Sequence, residues 1–176
     1  MSAIRLNHVE FAHRPGEGDL AVCLFEALGC SCSVIDSRPY GKYIVVSLDG
    51  SPHGLNDMFA SQAEPEQLAF EDALAPTMAG GAAQGLRELQ RQRPFRAAHI
   101  GLRIPSVAAL DQVIARLEQL RSGAFAGRLE LGFGMERSFE EARASDSPIK
   151  QLWIWTDVIS TGLLSVGQQI ELQAYD

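Results

Sequence analysis

Three residues of types that commonly bind divalent metal ions lie in short, strand-like segments spread along the chain. They are His8, His99 and Glu171, and the two histidines stand about half a chain length apart. Two neutral imidazoles and one carboxylate, with open coordination positions, suit Fe(II), Mn(II), Ni(II) or Zn(II). In a second interpretation, each histidine is a structural strand residue and Glu171 is exposed to solvent. The repeated placement of the histidines adds weight to the metal site and leaves both interpretations open.

Strand parity decides whether these side chains can share a face. Residues 5–11, 97–104 and 168–175 each alternate apolar and polar side chains, and residues two apart in a strand point the same way. The apolar faces should pack on helices, which turns the three candidate ligands to the other side of their sheets. The same polar faces carry Glu10, Arg103, Gln169 and Gln173.

The elements that carry these strands repeat once. An amphipathic helix follows each histidine strand, over residues 20–28 with a stop at Gly29, and over residues 107–120 with Ser106 as N-cap and a stop near Gly123. Three further strands follow each helix. They are predicted at residues 33–37, 43–49 and 56–61, and then at 128–133, 151–159 and 168–175.

This order predicts an α+β protein of two βαβββ modules, whose curved mixed sheets surround a central cavity with the helices outside. The first module spans residues 1–62 and the second residues 96–176. A helical connector, residues 63–95, has one helix over 66–75, a break from Pro76 to Gly81 and a second helix over 82–91. Residues 135–149 are charged and irregular, and we expect them to form an exposed loop.

Composition limits the function classes. The 176 residues are 46% hydrophobic and 21% charged, as in globular proteins, and the net charge of −7 argues against nucleic-acid binding. The longest apolar runs are too short for a membrane span. The opening residues lack the basic and apolar regions of a signal peptide, and the odd number of cysteines, three, predicts reduced thiols. We therefore expect a cytoplasmic protein.

Three short motifs resemble the signature strands of the vicinal-oxygen-chelate superfamily. That superfamily includes glyoxalase I, methylmalonyl-CoA epimerase, extradiol dioxygenases, and bleomycin- and fosfomycin-resistance proteins. The order and spacing of the motifs are specific, and the paired modules cover all but the connector. The motifs are Leu6-Asn7-His8-Val9, Ala98-His99-Ile100-Gly101-Leu102 and Gln169-Ile170-Glu171-Leu172. The resemblance implies that His8 and His99 are ligands from the first strand of each module, and Glu171 the ligand from the last strand.

The ligand set departs from one branch of this superfamily. Members with glyoxalase or epimerase activity usually have a fourth ligand, Glu or Gln, on the last strand of the first module. The matching position here is Met58 or Phe59, and Asp57 would need a one-residue slip that turns it to the other face. This disfavours glyoxalase and epimerase chemistry. It leaves the two-His-one-carboxylate set that extradiol dioxygenases use for Fe(II) or Mn(II), with Zn(II) and Ni(II) as alternatives.

The resemblance implies a small-molecule substrate with two adjacent oxygens, which the metal ion chelates as a Lewis acid. His53 and Glu10 are the catalytic candidates, although an exposed strand carboxylate is the commoner role for a residue placed like Glu10. Candidate substrate-binding residues are Trp153, Trp155, Arg103, Gln169 and Gln173. Core packing of the tryptophans and an ion pair of Arg103 are the alternatives. A lyase or isomerase, a non-catalytic binding protein of the antibiotic-resistance type and a metal-free paralogue stay open, and the family implies a homodimer.

Overall fold

The protein is described by a computed structural model over residues 8–38, 41–50, 56–134, 138–145, 148–160 and 168–175. Within these ranges it is an α+β fold with two four-stranded mixed sheets, each with one helix between its first two strands. Both sheets have the same strand order, β1-β4-β3-β2 and β5-β8-β7-β6, which confirms the predicted pair of βαβββ modules. No helix in these ranges is long and apolar enough to cross a membrane.

The strands are β1 His8–His13, β2 Ser31–Ser37, β3 Gly41–Ser47, β4 Asp57–Gln62, β5 Ile100–Ile104, β6 Leu129–Phe133, β7 Lys150–Thr156 and β8 Gln168–Ala174. The helices are α1 Gly18–Leu28, α2 Pro65–Met78, α3 Gly81–Gln92, α4 Val107–Ser122 and α5 Phe139–Ser145, with a 3-10 turn at Pro94–Arg96. The chain divides into two compact units, residues 1–71 with 158–165 and residues 72–157 with 166–176, so that the boundary falls inside α2.

The first unit places the polar face of β1 opposite its helix. Phe11 on β1 is buried, and α1 packs on β2, β3 and β4 through an apolar face that includes Leu24 and Phe25. Helix α1 ends at Gly29, which has φ 96°, a conformation that a residue without Cβ adopts freely. Two backbone hydrogen bonds join Ala12 to Ser160, so a segment after β7 adds to this unit.

The second unit repeats the arrangement. Ser106 accepts a hydrogen bond from the Ala109 N–H at 3.2 Å and begins α4, as the sequence predicts. Leu110 and Leu117 are fully buried on the face of α4 that packs on β5, β6 and β8. Strand β8 lies between β5, to which it is parallel, and β7, to which it is antiparallel. Its apolar side chains are also buried, so its polar side chains lie on the face away from α4.

Two segments differ from the sequence prediction. Helix α2 continues through Pro76 to Met78, because a proline in the last turn of a helix removes only one terminal hydrogen bond. In the segment predicted to be a loop, residues 139–145 form α5. The Ser138 hydroxyl accepts from the Glu141 N–H, and the Glu141 carboxylate accepts from the Ser138 N–H. This reciprocal capping box begins a short helix without a long apolar pattern.

Candidate functional site

The second unit brings two of the three predicted ligands together. Glu171 lies on β8 between Gly101 on β5 and Trp153 on β7, and His99 immediately precedes β5. The Nε2 atom of His99 is 3.4 Å from Oε2 of Glu171. The Glu171 carboxylate is buried, with 5% of the residue exposed. A buried carboxylate beside one imidazole needs further partners to offset its desolvation.

Each of the two side chains is held by a second contact. Nδ1 of His99 lies 2.8 Å from the Ala97 carbonyl oxygen, which can only accept, so Nδ1 carries a proton and Nε2 is the ring nitrogen directed towards Glu171. The Gln151 amide donates to Oε1 of Glu171 at 2.8 Å and leaves Oε2 towards the imidazole. Backbone carbonyls and amides commonly orient metal-binding histidines and carboxylates in this way.

The distance between these two atoms fits a shared metal ion. Two donors about 2.1 Å from one ion, at angles between octahedral and tetrahedral, lie about 3.0–3.4 Å apart. The 3.4 Å separation of His99 Nε2 and Glu171 Oε2 lies at the upper end of that range. The pair therefore has the chemistry, orientation and spacing of two adjacent ligands. Among the described residues of the chain, no group of three or more His, Cys, Asp or Glu side chains is arranged to hold a metal ion.

Glycines and tryptophans shape the sheet face around this pair. The Trp153 ring meets the His99 ring edge to face, with centroids 5.1 Å apart, and only 4% of Trp153 is exposed. Gly132 leaves room for Trp155, because a Cβ on it would lie 2.6 Å from the Trp155 ring. A Cβ on Gly101 would be in ordinary contact, at 3.7 Å, with Oε2 of Glu171. Trp153 is therefore packed against His99, and Trp155 lies on the same face of β7 as Trp153.

The other predicted substrate-binding residues of the second unit lie on the same polar face. Trp155 Nε1 donates to Gln169 Oε1 at 2.9 Å, and the Gln169 amide donates to the Pro94 carbonyl at 2.8 Å. At the far end of the face, the Arg103 guanidinium lies 4.4 Å from the centre of the Tyr175 ring in a cation–π contact. The Tyr175 hydroxyl donates to Gln173 at 2.8 Å.

The first unit carries His8 and Glu10 on the polar face of β1. His8 is exposed and meets the Phe59 ring edge to face, with centroids 5.1 Å apart. Glu10 is exposed, and its Oε1 accepts a hydrogen bond from the Ser61 hydroxyl at 2.6 Å. A carboxylate engaged in this way keeps a second oxygen that can take a proton. His53, the other catalytic candidate, lies outside the described residues.

The strand register identifies the residue at the position of the fourth family ligand. Glu10 pairs with Phe59 as Gly101 pairs with Glu171, so Phe59 stands where the second module has its carboxylate. Asp57 pairs directly with His8 and shares the face of Phe59. The expectation that Asp57 faces the other way is therefore wrong, because Met58 belongs to the buried face and is not the matching position.

The most informative residue that the sequence interpretation missed is Gln151, which orients Glu171. The signal was available in its strand parity, since Gln151 lies two residues before Trp153 on the same face.

Comparisons with protein-family models, curated proteins and solved structures found no match to this chain. The superfamily resemblance consequently stays a prediction from the motifs.

Proposed function

We propose that the chain is a divalent-metal-dependent protein of the vicinal-oxygen-chelate type, and an enzyme acting on a small molecule with two adjacent oxygens. His99 and Glu171 would hold the ion, with His8 as the third ligand. The observation that carries this proposal is the His99 Nε2 to Glu171 Oε2 approach of 3.4 Å, with each side chain held by a second contact. Fe(II) or Mn(II) is the proposed ion, and Zn(II) or Ni(II) the alternative.

An ion bound there would supply Lewis acidity to adjacent substrate oxygens, which fits dioxygenase-like chemistry. The chain's own residues have separate tasks. Gln151 fixes the Glu171 carboxylate, and the Ala97 carbonyl fixes the His99 tautomer. The buried Trp153 ring limits the motion of the imidazole and excludes water from one side of it. We propose Glu10 and His53 as the groups that exchange protons with substrate.

Two other functions are open to test. Glyoxalase- or epimerase-type chemistry is the weaker, because Phe59 stands at the position of the fourth ligand. The polar face of β8 supports a non-catalytic binding protein. Apart from His99, the described side chains beside Glu171 are amides and aromatic rings, which do not exchange protons with a substrate. We propose a cytoplasmic homodimer, and the three free cysteines agree with a reducing compartment.

Metal analysis of protein purified without a histidine tag tests the centre. We expect close to one equivalent in the wild type and a strong loss in His8→Ala, His99→Ala and Glu171→Gln. His13→Ala is the matched control, because His13 is a described histidine outside the proposed ligand set, with Nδ1 on the Arg14 carbonyl oxygen. Less than about a tenth of an equivalent in the wild type, after supply of all four ions, would overturn the proposal.

Activity assays then separate the reactions. Oxygen consumption with a panel of catechols is expected from the Fe(II)- or Mn(II)-loaded protein and not from the Glu171→Gln variant. Isomerisation of a hemithioacetal without oxygen consumption would instead support the glyoxalase alternative. Ligand binding with neither reaction would support the binding protein.

A further inference from the structure

A groove of about 450 Å³ lies within the second unit between helix α3 and the ends of β6 and β7. Its volume is in the range of small-molecule sites. Arg87, Gln90 and Arg91 line one wall and lie on one side of α3, since residues three and four apart in a helix are neighbours. The opposite wall is formed by residues 127–130 and 155–157, and Gln169 lies in the groove as well.

The groove concentrates positive charge in a chain whose net charge is −7. Three guanidiniums, of Arg87, Arg91 and Arg128, face two carboxylates, of Glu130 and Asp157, which leaves one positive charge in excess. Arg91 donates from Nε to both Glu130 oxygens, at 2.7 and 2.8 Å. These hydrogen bonds lower the pKa of Glu130 and raise that of Arg91, so this pair stays ionised.

The other two arginines are held less tightly. Arg87 donates Nη1 to the Met78 carbonyl oxygen at 2.9 Å, and within the described residues no carboxylate contacts its guanidinium. Arg128 donates Nε to the Asp157 carboxylate at 2.9 Å, and the Asp157 side chain is 61% exposed. An ion pair with an exposed acid contributes little stability, and its arginine can exchange that acid for another anion. Arg87 and Arg128 are thus the charges that an incoming anion can engage.

The floor of the groove is rigid and partly apolar. Gln169 is only 4% exposed and uses its amide on both sides, accepting from Trp155 and donating to the Pro94 carbonyl. The Trp155 indole is half-buried, fixed by that hydrogen bond and by the Arg91 guanidinium 5.8 Å from its ring centre. A planar apolar ligand placed there loses water at little ordering cost to the protein.

We propose that this groove is a binding site for a small aromatic carboxylate. The carboxylate engages the Arg87 and Arg128 guanidiniums, whose planar forks match its two oxygens, and the aromatic body lies against Trp155. The site does not require a metal ion at His99 and Glu171. Gln169, which lines the groove, is two residues from Glu171 on the same strand face.

Calorimetric titration of the chelator-treated full chain with 2-naphthoate tests the proposal. The uncharged 2-naphthamide serves as the matched ligand. We expect naphthoate to bind about 10-fold more tightly than the amide, and its affinity to fall as salt is raised. Arg87→Gln should weaken naphthoate binding about 5- to 10-fold. Arg121→Gln is the control, because Arg121 is paired with Glu118 on α4, against the other face of the sheet.

A second variant acts in the opposite direction, which a folding defect cannot imitate. Asp157→Asn removes the carboxylate that competes for Arg128, and we expect naphthoate to bind several-fold more tightly. Equal affinity for naphthoate and naphthamide would overturn the proposal. So would an unchanged affinity in both Arg87→Gln and Asp157→Asn, or the absence of naphthoate binding at millimolar concentration. These readouts use metal-free protein, so they can fail while the metal centre holds, and the reverse.

Discussion

Replacing Glu171 by glutamine should separate the metal-binding role of this residue from its structural one. In the metal-free protein the substituted amide keeps the shape of the side chain. Its oxygen can accept from Gln151, and its NH2 group can donate to Nε2 of a neutral His99 imidazole. A buried negative charge is also lost, which lowers the desolvation cost. We therefore expect metal-free Glu171→Gln to unfold within about 1 kcal/mol of the wild type.

The difference in stability between the wild type and Glu171→Gln should be much larger when metal is present. At a free ion concentration of 100 times the dissociation constant, binding stabilises the folded wild type by about 2.7 kcal/mol. For a chain of this length that raises the melting temperature by about 5–10 °C. If loss of the charged ligand weakens binding about 100-fold, the same ion concentration contributes only about 0.4 kcal/mol. The variant should then melt within about 1–2 °C of its metal-free form.

Thermal unfolding followed by circular dichroism measures the stability of the metal-free protein when chelator is present. Repeated with each divalent ion, it measures the rise in melting temperature on metal binding. His13→Ala should keep the full metal-dependent rise. An equal rise in Glu171→Gln and in the wild type would refute the assignment of Glu171 as a ligand. Loss of more than about 3 kcal/mol in the metal-free variant would show instead that the carboxylate is mainly structural, since that is the cost of breaking a buried pair.

Three smaller predictions concern packing, capping and thiol chemistry. Gly132→Ala should destabilise the protein by about 1–3 kcal/mol, because the new Cβ would lie 2.6 Å from the Trp155 ring; an unchanged urea midpoint would contradict this. Ser106→Ala should cost about 1 kcal/mol in the same assay by removing the N-cap of α4, and a neutral result would refute the capping role. Burial raises the pKa of Cys30 to about 12, so at pH 8 its thiolate is scarce. A disulfide reagent at that pH should modify the exposed Cys23 faster than the half-buried Cys30, and equal rates would contradict the raised pKa.

The fold was predictable where local and long-range signals agree. Helix α4 has a capping serine, an apolar stripe and a terminal glycine in the right order, and its predicted start and end are confirmed. Helix α5 was missed because seven residues give too little periodicity to register, although the Ser138 to Glu141 spacing of a capping box was present. The sequence predicts a break at Pro76, but helix α2 continues to Met78, because a proline near the end of a helix removes only one hydrogen bond.

The sequence predicts which strand face carries each candidate side chain, but it predicts less well which residues these side chains contact. Strand parity places Glu171 on the polar side of β8, but parity alone does not say which neighbouring strand supplies its partners. The β7–β8 register sets Trp153 directly opposite Glu171, and the amide that reaches the carboxylate is that of Gln151, one pair further along. Register depends on the pairing of distant segments, so the sequence interpretation gave the candidates and not the choice among them.

The two modules show why duplication predicts topology better than chemistry. In each unit the first histidine meets an aromatic ring edge to face at 5.1 Å. In the second unit that ring is Trp153 on β7, which leaves the β8 position free for Glu171. In the first unit the ring is Phe59, which itself takes the equivalent position on β4. Phe59 therefore makes in the first unit the ring contact that Trp153 makes in the second, and it does so from the strand position that carries the carboxylate in the second unit.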